Sequence, residues 1–99
     1  MTPISRMTYI RPLAEDELAI VDRLGCRAKE AQVVAAMQRA AGRIVTRDHL
    51  TDALWGSDPD GGPDDPEGSV KVYISRLRRR HGLEIETVWG VGYRLVRMP

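Results

Sequence analysis

Two helical patterns joined by a four-residue connector constrain this chain more than any other feature of it. "RAKEAQVVAAMQRAA" (residues 27–41) is built of strong helix formers and sets Val33, Val34, Met37 and Ala41 at spacings of three and four. "TRDHLTDALW" opens on Thr46, whose hydroxyl can cap free amides. Val45 before it can pack on Leu50 in the second turn, and Leu50, Ala53 and Leu54 share a face. Gly42 and Gly56 supply the stops. A connector as short as residues 42–45 forces the two helices to pack as neighbours at a sharp angle. At 99 residues the chain has room for only one core, so the remaining segments must complete it.

Those segments differ in kind. "SDPDGGPDDPEG" (residues 57–68) is rich in Asp, Pro and Gly and reads as an exposed loop. "SVKVYISRLRRRHG" has Val70, Ile74, Leu77 and His81 on one helical face. Val72, Arg76 and Arg79 fall opposite, flanked by Ser69, Ser75 and Arg80. The spacing therefore predicts an amphipathic helix over residues 70–80 with a basic outer face, ended by Gly82. "LEIETVWGVGYRLVR" alternates β-branched and aromatic residues around "WGVG" and reads as a hairpin turning at the glycines. Near the start, "SRMTYIR" reads as a strand. A short helix is expected over residues 14–24, with Leu18, Val21 and Leu24 at helical spacing.

Net charge is +1, but the average hides two unlike halves. Residues 1–68 carry 8 Lys+Arg and 12 Asp+Glu, a net of −4, and residues 69–99 carry 7 and 2, a net of +5. A basic C-terminal third points to an anionic partner on that side, nucleic acid first. The apolar runs are too short to span a membrane, and "MTPISRMTYIRP" lacks the apolar stretch of a secretory signal, so a cytoplasmic protein without a membrane partner is expected. The single Cys26 excludes an internal disulfide and a cysteine-rich zinc site, and reads as a small buried apolar residue. His49 and His81 have no carboxylate-rich partner motif, and no nucleophile stands at recognisable spacing from a base. Neither a metal, nor another cofactor, nor an enzyme is expected.

The basic helix makes its own physical case for duplex DNA. A major groove admits one α-helix, and an Arg such as Arg76 can bridge both acceptors of a guanine. Val72, an exposed branched aliphatic, suits the methyl group of thymine. Arg78, Arg79 and Arg80 diverge around the helix and cannot all reach bases, so some of them, with Lys71 nearby, should hold phosphates. Tyr73 sits at the edge of the buried face, as able to be core as contact. Trp89 has two open readings: packing against the domain or a partner, or lying on a sugar–phosphate edge. Tyr93 reads as core. Arg94 beside it points the other way and can reach a phosphate. Gly90 and Gly92 read as backbone requirements of the turn.

Helix, tight turn, helix, loop, basic helix and hairpin is the order of a winged helix. From residue 27 to residue 95 the chain resembles the DNA-binding domain of OmpR/PhoB-type response regulators. "AGRIVTRDHLTDALWG" is similar to that family's stretch from the end of the first helix through the second. "VKVYISRLRRR" resembles its recognition helix and "IETVWGVGYRL" its wing. The resemblance implies an α+β fold: a three-helix core with a C-terminal β-hairpin wing over residues 27–99, behind an N-terminal extension over residues 1–26. It implies that Ser69, Val72, Tyr73 and Arg76 face base edges, that Arg78 and Arg79 meet phosphates, and that the tip of "TVWGVGY" reaches a neighbouring minor groove. It also implies that the loop over residues 57–68 can touch RNA polymerase.

The sequence departs from the family in three ways. No receiver domain precedes the unit in this chain, so a free-standing regulator or a fragment is expected. Helix-forming residues stand where the family opens with a sheet. Tyr73 replaces a frequent His and Trp89 a frequent Arg, so no operator sequence carries over. The expectation is a bacterial or phage transcriptional regulator, nucleoid-associated, that binds double-stranded DNA sequence-specifically. One recognition helix covers a short half-site, which calls for a homodimer or tandem array on DNA. The competing expectation is an adaptor that docks on RNA polymerase or another regulator through the acidic loop or Trp89.

Overall fold

The computed structural model describes residues 11–99, and the strand expected over "SRMTYIR" lies outside them except for Arg11. The order of elements is α1 (Glu15–Leu24), α2 (Ala28–Arg39), β1 (Val45–Thr46), α3 (Arg47–Trp55), α4 (Pro66–Arg80), β2 (Glu84–Val88) and β3 (Gly92–Arg97). The fold is α+β. Its strands form one antiparallel sheet in the order β1-β3-β2, with Val45 opposite Tyr93, and Ile85 opposite Leu95.

Helix α2 is the centre of the molecule. Every residue from Ala31 to Met37 is buried, because α1, α3, α4 and β3 all pack around it. It ends at Arg39, two residues short of the expected end, and Ala41 is exposed rather than part of the core face. The reason lies in the turn. Ala41 and Gly42 both take left-handed backbone angles (φ 51° and 85°), which breaks the helical path and sends the chain directly into β1 and α3.

Helix α3 starts as its sequence suggests. The Thr46 hydroxyl accepts the His49 N–H at 3.0 Å, and Val45 and Leu50 are both buried in the core. Trp55, at the end of α3, is buried as well. Its ring is tilted against Tyr73 of α4 at 6.4 Å between centroids. Lys29 Nζ lies 5.2 Å from the centre of the same indole and donates to the Leu54 carbonyl at 2.6 Å. Burial lowers the Lys29 pKa to about 8.

Helix α1 is rotated relative to the expected face. Leu18 is 50% exposed, while Glu17 and Ile20 are buried and Val21 and Leu24 pack at the core's edge. Glu17 tolerates full burial because its carboxylate accepts two bonds of 2.7 Å from Arg11 and one of 2.9 Å from the Ala14 N–H. Glu30 likewise accepts the Arg27 N–H at 3.0 Å, so a buried glutamate in the first turn caps each of α1 and α2.

The acidic loop is shorter than expected, since Pro66, Glu67 and Gly68 form the first turn of α4. Pro at a helix start gives up no hydrogen bond, and Asp65 caps the helix by accepting the Gly68 N–H at 3.0 Å. Beyond α4, the wing turns at Gly90, whose φ of 76° suits glycine. Gly92 serves a different need from the one expected. Its own φ is ordinary, but a Cβ there would strike the Val45 carbonyl oxygen of β1, so only glycine lets the two strands close.

Candidate nucleic-acid interface

Helix α4 buries Val70, Ile74 and Leu77 against the core, and this fixes what its opposite side presents. Lys71, Val72, Ser75, Arg76, Arg79 and Arg80 line one shallow groove along that side. Val72 is 45% exposed, so an aliphatic side chain does stand in water among the cations. Lys71, Arg79 and Arg80 have no ion-pair or hydrogen-bond partner among the described residues. Ser69 sits half-exposed at the start of the same helix.

The other basic residues of the segment are engaged. Arg76 is half-buried, with one guanidinium nitrogen 4.0 Å from the buried Glu30 carboxylate, and His81 Nε2 lies 3.8 Å from the same carboxylate. Arg78 turns toward the wing. It donates to the Ile85 carbonyl from Nε at 3.1 Å and Nη2 at 2.7 Å, and to Thr87 Oγ1 at 2.8 Å. It therefore fastens α4 to β2. Tyr73 leans on Trp55, and burial pushes its hydroxyl pKa up.

On the wing, Arg94 pairs with Glu86, its cross-strand partner, at 2.8 Å, and Arg97 with Glu84 at 3.2 Å. Trp89 stands at the turn, 87% exposed, so packing against its own domain does not occur. Tyr93 is buried.

Sequence reasoning passed over two residues that shape this surface. Glu30 reaches Arg76 from another helix, and its only local signal is a glutamate three residues after Arg27. Arg47 links three parts of the face. Its guanidinium donates to Glu67 at 3.3 Å and to the Gly90 carbonyl at 3.5 Å, and its N–H to the Val91 carbonyl at 3.2 Å. Residues 20 and 43 positions apart meet there, which no local pattern announces. The arrangement is a convex basic helix beside a braced hairpin, with no group of three or more metal-ligating side chains among the described residues. No helix among those residues is long and apolar enough to cross a membrane.

Comparison with known proteins agrees with this geometry. A family model described as "Transcriptional regulatory protein, C terminal" matches residues 22–95. The heme response regulator HssR of Staphylococcus haemolyticus (strain JCSC1435) is 37% identical over 73 residues, which is 69% of this chain and 31% of HssR. HssR of Staphylococcus aureus (strain JH9) is 36% identical over 72 residues, 68% of this chain and 30% of that protein. The chain thus spans about a third of the length of the curated relatives it matches. Among solved structures, the DNA-binding domain of Bacillus subtilis CssR matches with a TM-score of 0.60 at 27% identity, over 74% of this chain and 80% of that one.

Proposed function

Since the chain belongs to the family of C-terminal domains of transcriptional regulatory proteins, we propose that it reads duplex DNA sequence-specifically, with α4 in a major groove and the β2–β3 wing at the adjacent backbone or minor groove. The family is one of DNA-binding transcription regulators, not of enzymes. The observation that carries the finer reading is the outer face of α4, where Lys71, Arg79 and Arg80 stand without ion-pair partners among the described residues around an exposed Val72. Cations left unneutralised on a convex helix suit phosphates and guanine edges, and Val72 suits a thymine methyl. Arg76 keeps donors beyond the one near Glu30, because a guanidinium has five.

In this reading residues 27–99 are the DNA-reading unit and α1 is an extension packed on it. The protein works in the cytoplasm on the nucleoid. Two copies sit on DNA as a dimer or tandem array, since one helix reads a short half-site. The loop before α4 is left to meet RNA polymerase, although Asp65 and Glu67 are already engaged, the first as a cap and the second with Arg47.

The test is selection of bound sequences from a random duplex pool, repeated across salt with the unmutated protein and Arg76→Ala. An enriched half-site is expected, with affinity falling steeply with salt. Arg76→Ala should relax preference at one position of that half-site. Weak binding with no enriched motif would overturn the DNA reading and favour the adaptor.

A further inference from the structure

We propose that Trp89 is an apolar wedge that stacks between base pairs of the minor groove beside the α4 half-site and kinks the duplex there. This rests on the DNA reading of α4 given above and adds a mode of contact to it.

Trp89 is the most exposed of the large apolar side chains among the described residues, yet its mount is rigid. The turn is closed by the Val91 N–H on the Val88 carbonyl at 3.0 Å. The Val91 and Gly90 carbonyls are in turn held by Arg47, from its N–H at 3.2 Å and its guanidinium at 3.5 Å. Gly92 is pressed against the backbone of β1, and Arg78 straps β2 to α4. An indole held this way is presented on a fixed arm. It has only two side-chain torsions to lose on binding, which is what an inserting group needs.

Charge and shape select the partner. Of the acids near the tip, Glu67 is paired with Arg47 at 3.3 Å and Glu86 with Arg94 at 2.8 Å, which leaves Asp48, exposed beside Gly90 and Val91, as the one without an ion-pair partner among the described residues. From Ile85, where Arg78 grips β2, Trp89 lies four residues along the strand, or about 13 Å. The indole therefore stands well apart from the point where α4 is fastened to the wing. The tip presents one ring and, beyond Gly90, one exposed aliphatic, Val91. A protein partner needs on the order of 800 Å² per side, whereas a gap between two base pairs takes a single ring. Apolar wedges inserted between base steps unstack them and bend the duplex. Indole is neutral and forms no ion pair with phosphate, so apart from the one hydrogen bond its N–H can donate, its contribution is stacking.

The experiment uses the half-site that the unmutated protein enriches. Duplexes carrying it are labelled at both ends for energy transfer, with 2-aminopurine placed at successive positions in the flank. They are titrated with the unmutated protein, Trp89→Phe and Trp89→Ala. The unmutated protein should shorten the end-to-end distance and brighten 2-aminopurine at one flanking step, and Trp89→Phe should retain part of both effects. Trp89→Ala should leave the duplex straight and bind about tenfold more weakly, within the range expected for one stacked base. Its salt slope should be unchanged, since no charge is removed. A Trp89→Ala protein that binds and bends the duplex like the unmutated one overturns the wedge. So does an effect of Trp89→Ala on self-association alone, seen by sedimentation, which would make the indole a protein contact. An enriched half-site that stays straight with the unmutated protein overturns the wedge and spares the DNA reading, whereas absence of any enriched half-site overturns both.

Discussion

Arg78 and Arg79 are adjacent arginines on one helix, and the structure gives them different duties that a paired substitution can separate. Arg78 makes charge-assisted bonds to two acceptors on β2, the Ile85 carbonyl and Thr87 Oγ1. Bonds to charged groups are worth about 1.5–3 kcal/mol when buried. Arg78 is itself exposed and water can replace it, so about 1 kcal/mol per acceptor is the reasonable figure. Arg78→Ala should therefore cost about 2 kcal/mol. In a domain of this size that lowers the Tm by roughly 8–16 °C. Arg79 has no side-chain partner among the described residues, and Arg79→Ala should leave the Tm within about 4 °C. On DNA the order reverses in one respect. Losing a phosphate contact lowers the slope of log affinity against log salt by about 0.9. Arg79→Ala should show that loss, and Arg78→Ala should weaken binding with its slope nearly intact. Thermal unfolding by circular dichroism and binding titrations at four salt concentrations measure both quantities. Arg78→Ala with an unchanged Tm and a slope reduced as much as in Arg79→Ala would refute the bracing role.

The close approach of β3 to β1 and the buried Lys29 each carry a further expectation. Gly92→Ala would drive a Cβ into the Val45 carbonyl and to 2.8 Å from Thr46 Cα, so it should destabilise the domain by about 3 kcal/mol. A loss below 1 kcal/mol in urea unfolding would contradict the packing described. For Lys29 the sign follows from a folded-state pKa of about 8 against an ordinary 10.5. Below pH 8 both states hold the proton and the cost of burying the charge is fully present. Between pH 8 and 10.5 the unfolded chain still holds a proton that the folded chain has released, so stability rises with pH. Relative to Lys29→Met, the unmutated protein should gain up to about 3 kcal/mol across that window. A constant difference would show that the Lys29 ammonium is not held in a desolvated site.

Much of this fold can be read along the chain because its helices announce themselves through apolar spacing. Val33, Val34 and Met37 define α2, and Val70, Ile74 and Leu77 define the inward face of α4. Thr46 with Leu50 marks the start of α3, and "WGVG" marks the wing turn. What escaped depends on partners distant in sequence. Strand β1 is two residues long and exists only because Tyr93 and Gly92 pair with it. In α1, Ile20 is buried and Leu18 is not, because Arg11 and the Ala14 amide make Glu17 able to go inside, a trade that hydrophobic spacing does not register. Pro66 begins a helix that composition assigned to a loop, since Asp65 supplies the cap. At the interface, the basic groove follows from the helical wheel. The separate commitments of Arg76 to Glu30, Arg78 to β2 and Arg94 to Glu86 do not, as all three look alike in the sequence.

The central claim, that α4 and the wing form the surface that meets DNA, is tested most directly by following backbone amide NMR shifts while the uniformly labelled protein is titrated with a duplex it has selected. The largest changes should map to residues 69–80 and 88–91, with the Arg47 amide moving alongside them and α1 unaffected. Changes confined to residues 57–65, or none at all with the selected duplex, would contradict the claim and place the working surface of this domain elsewhere.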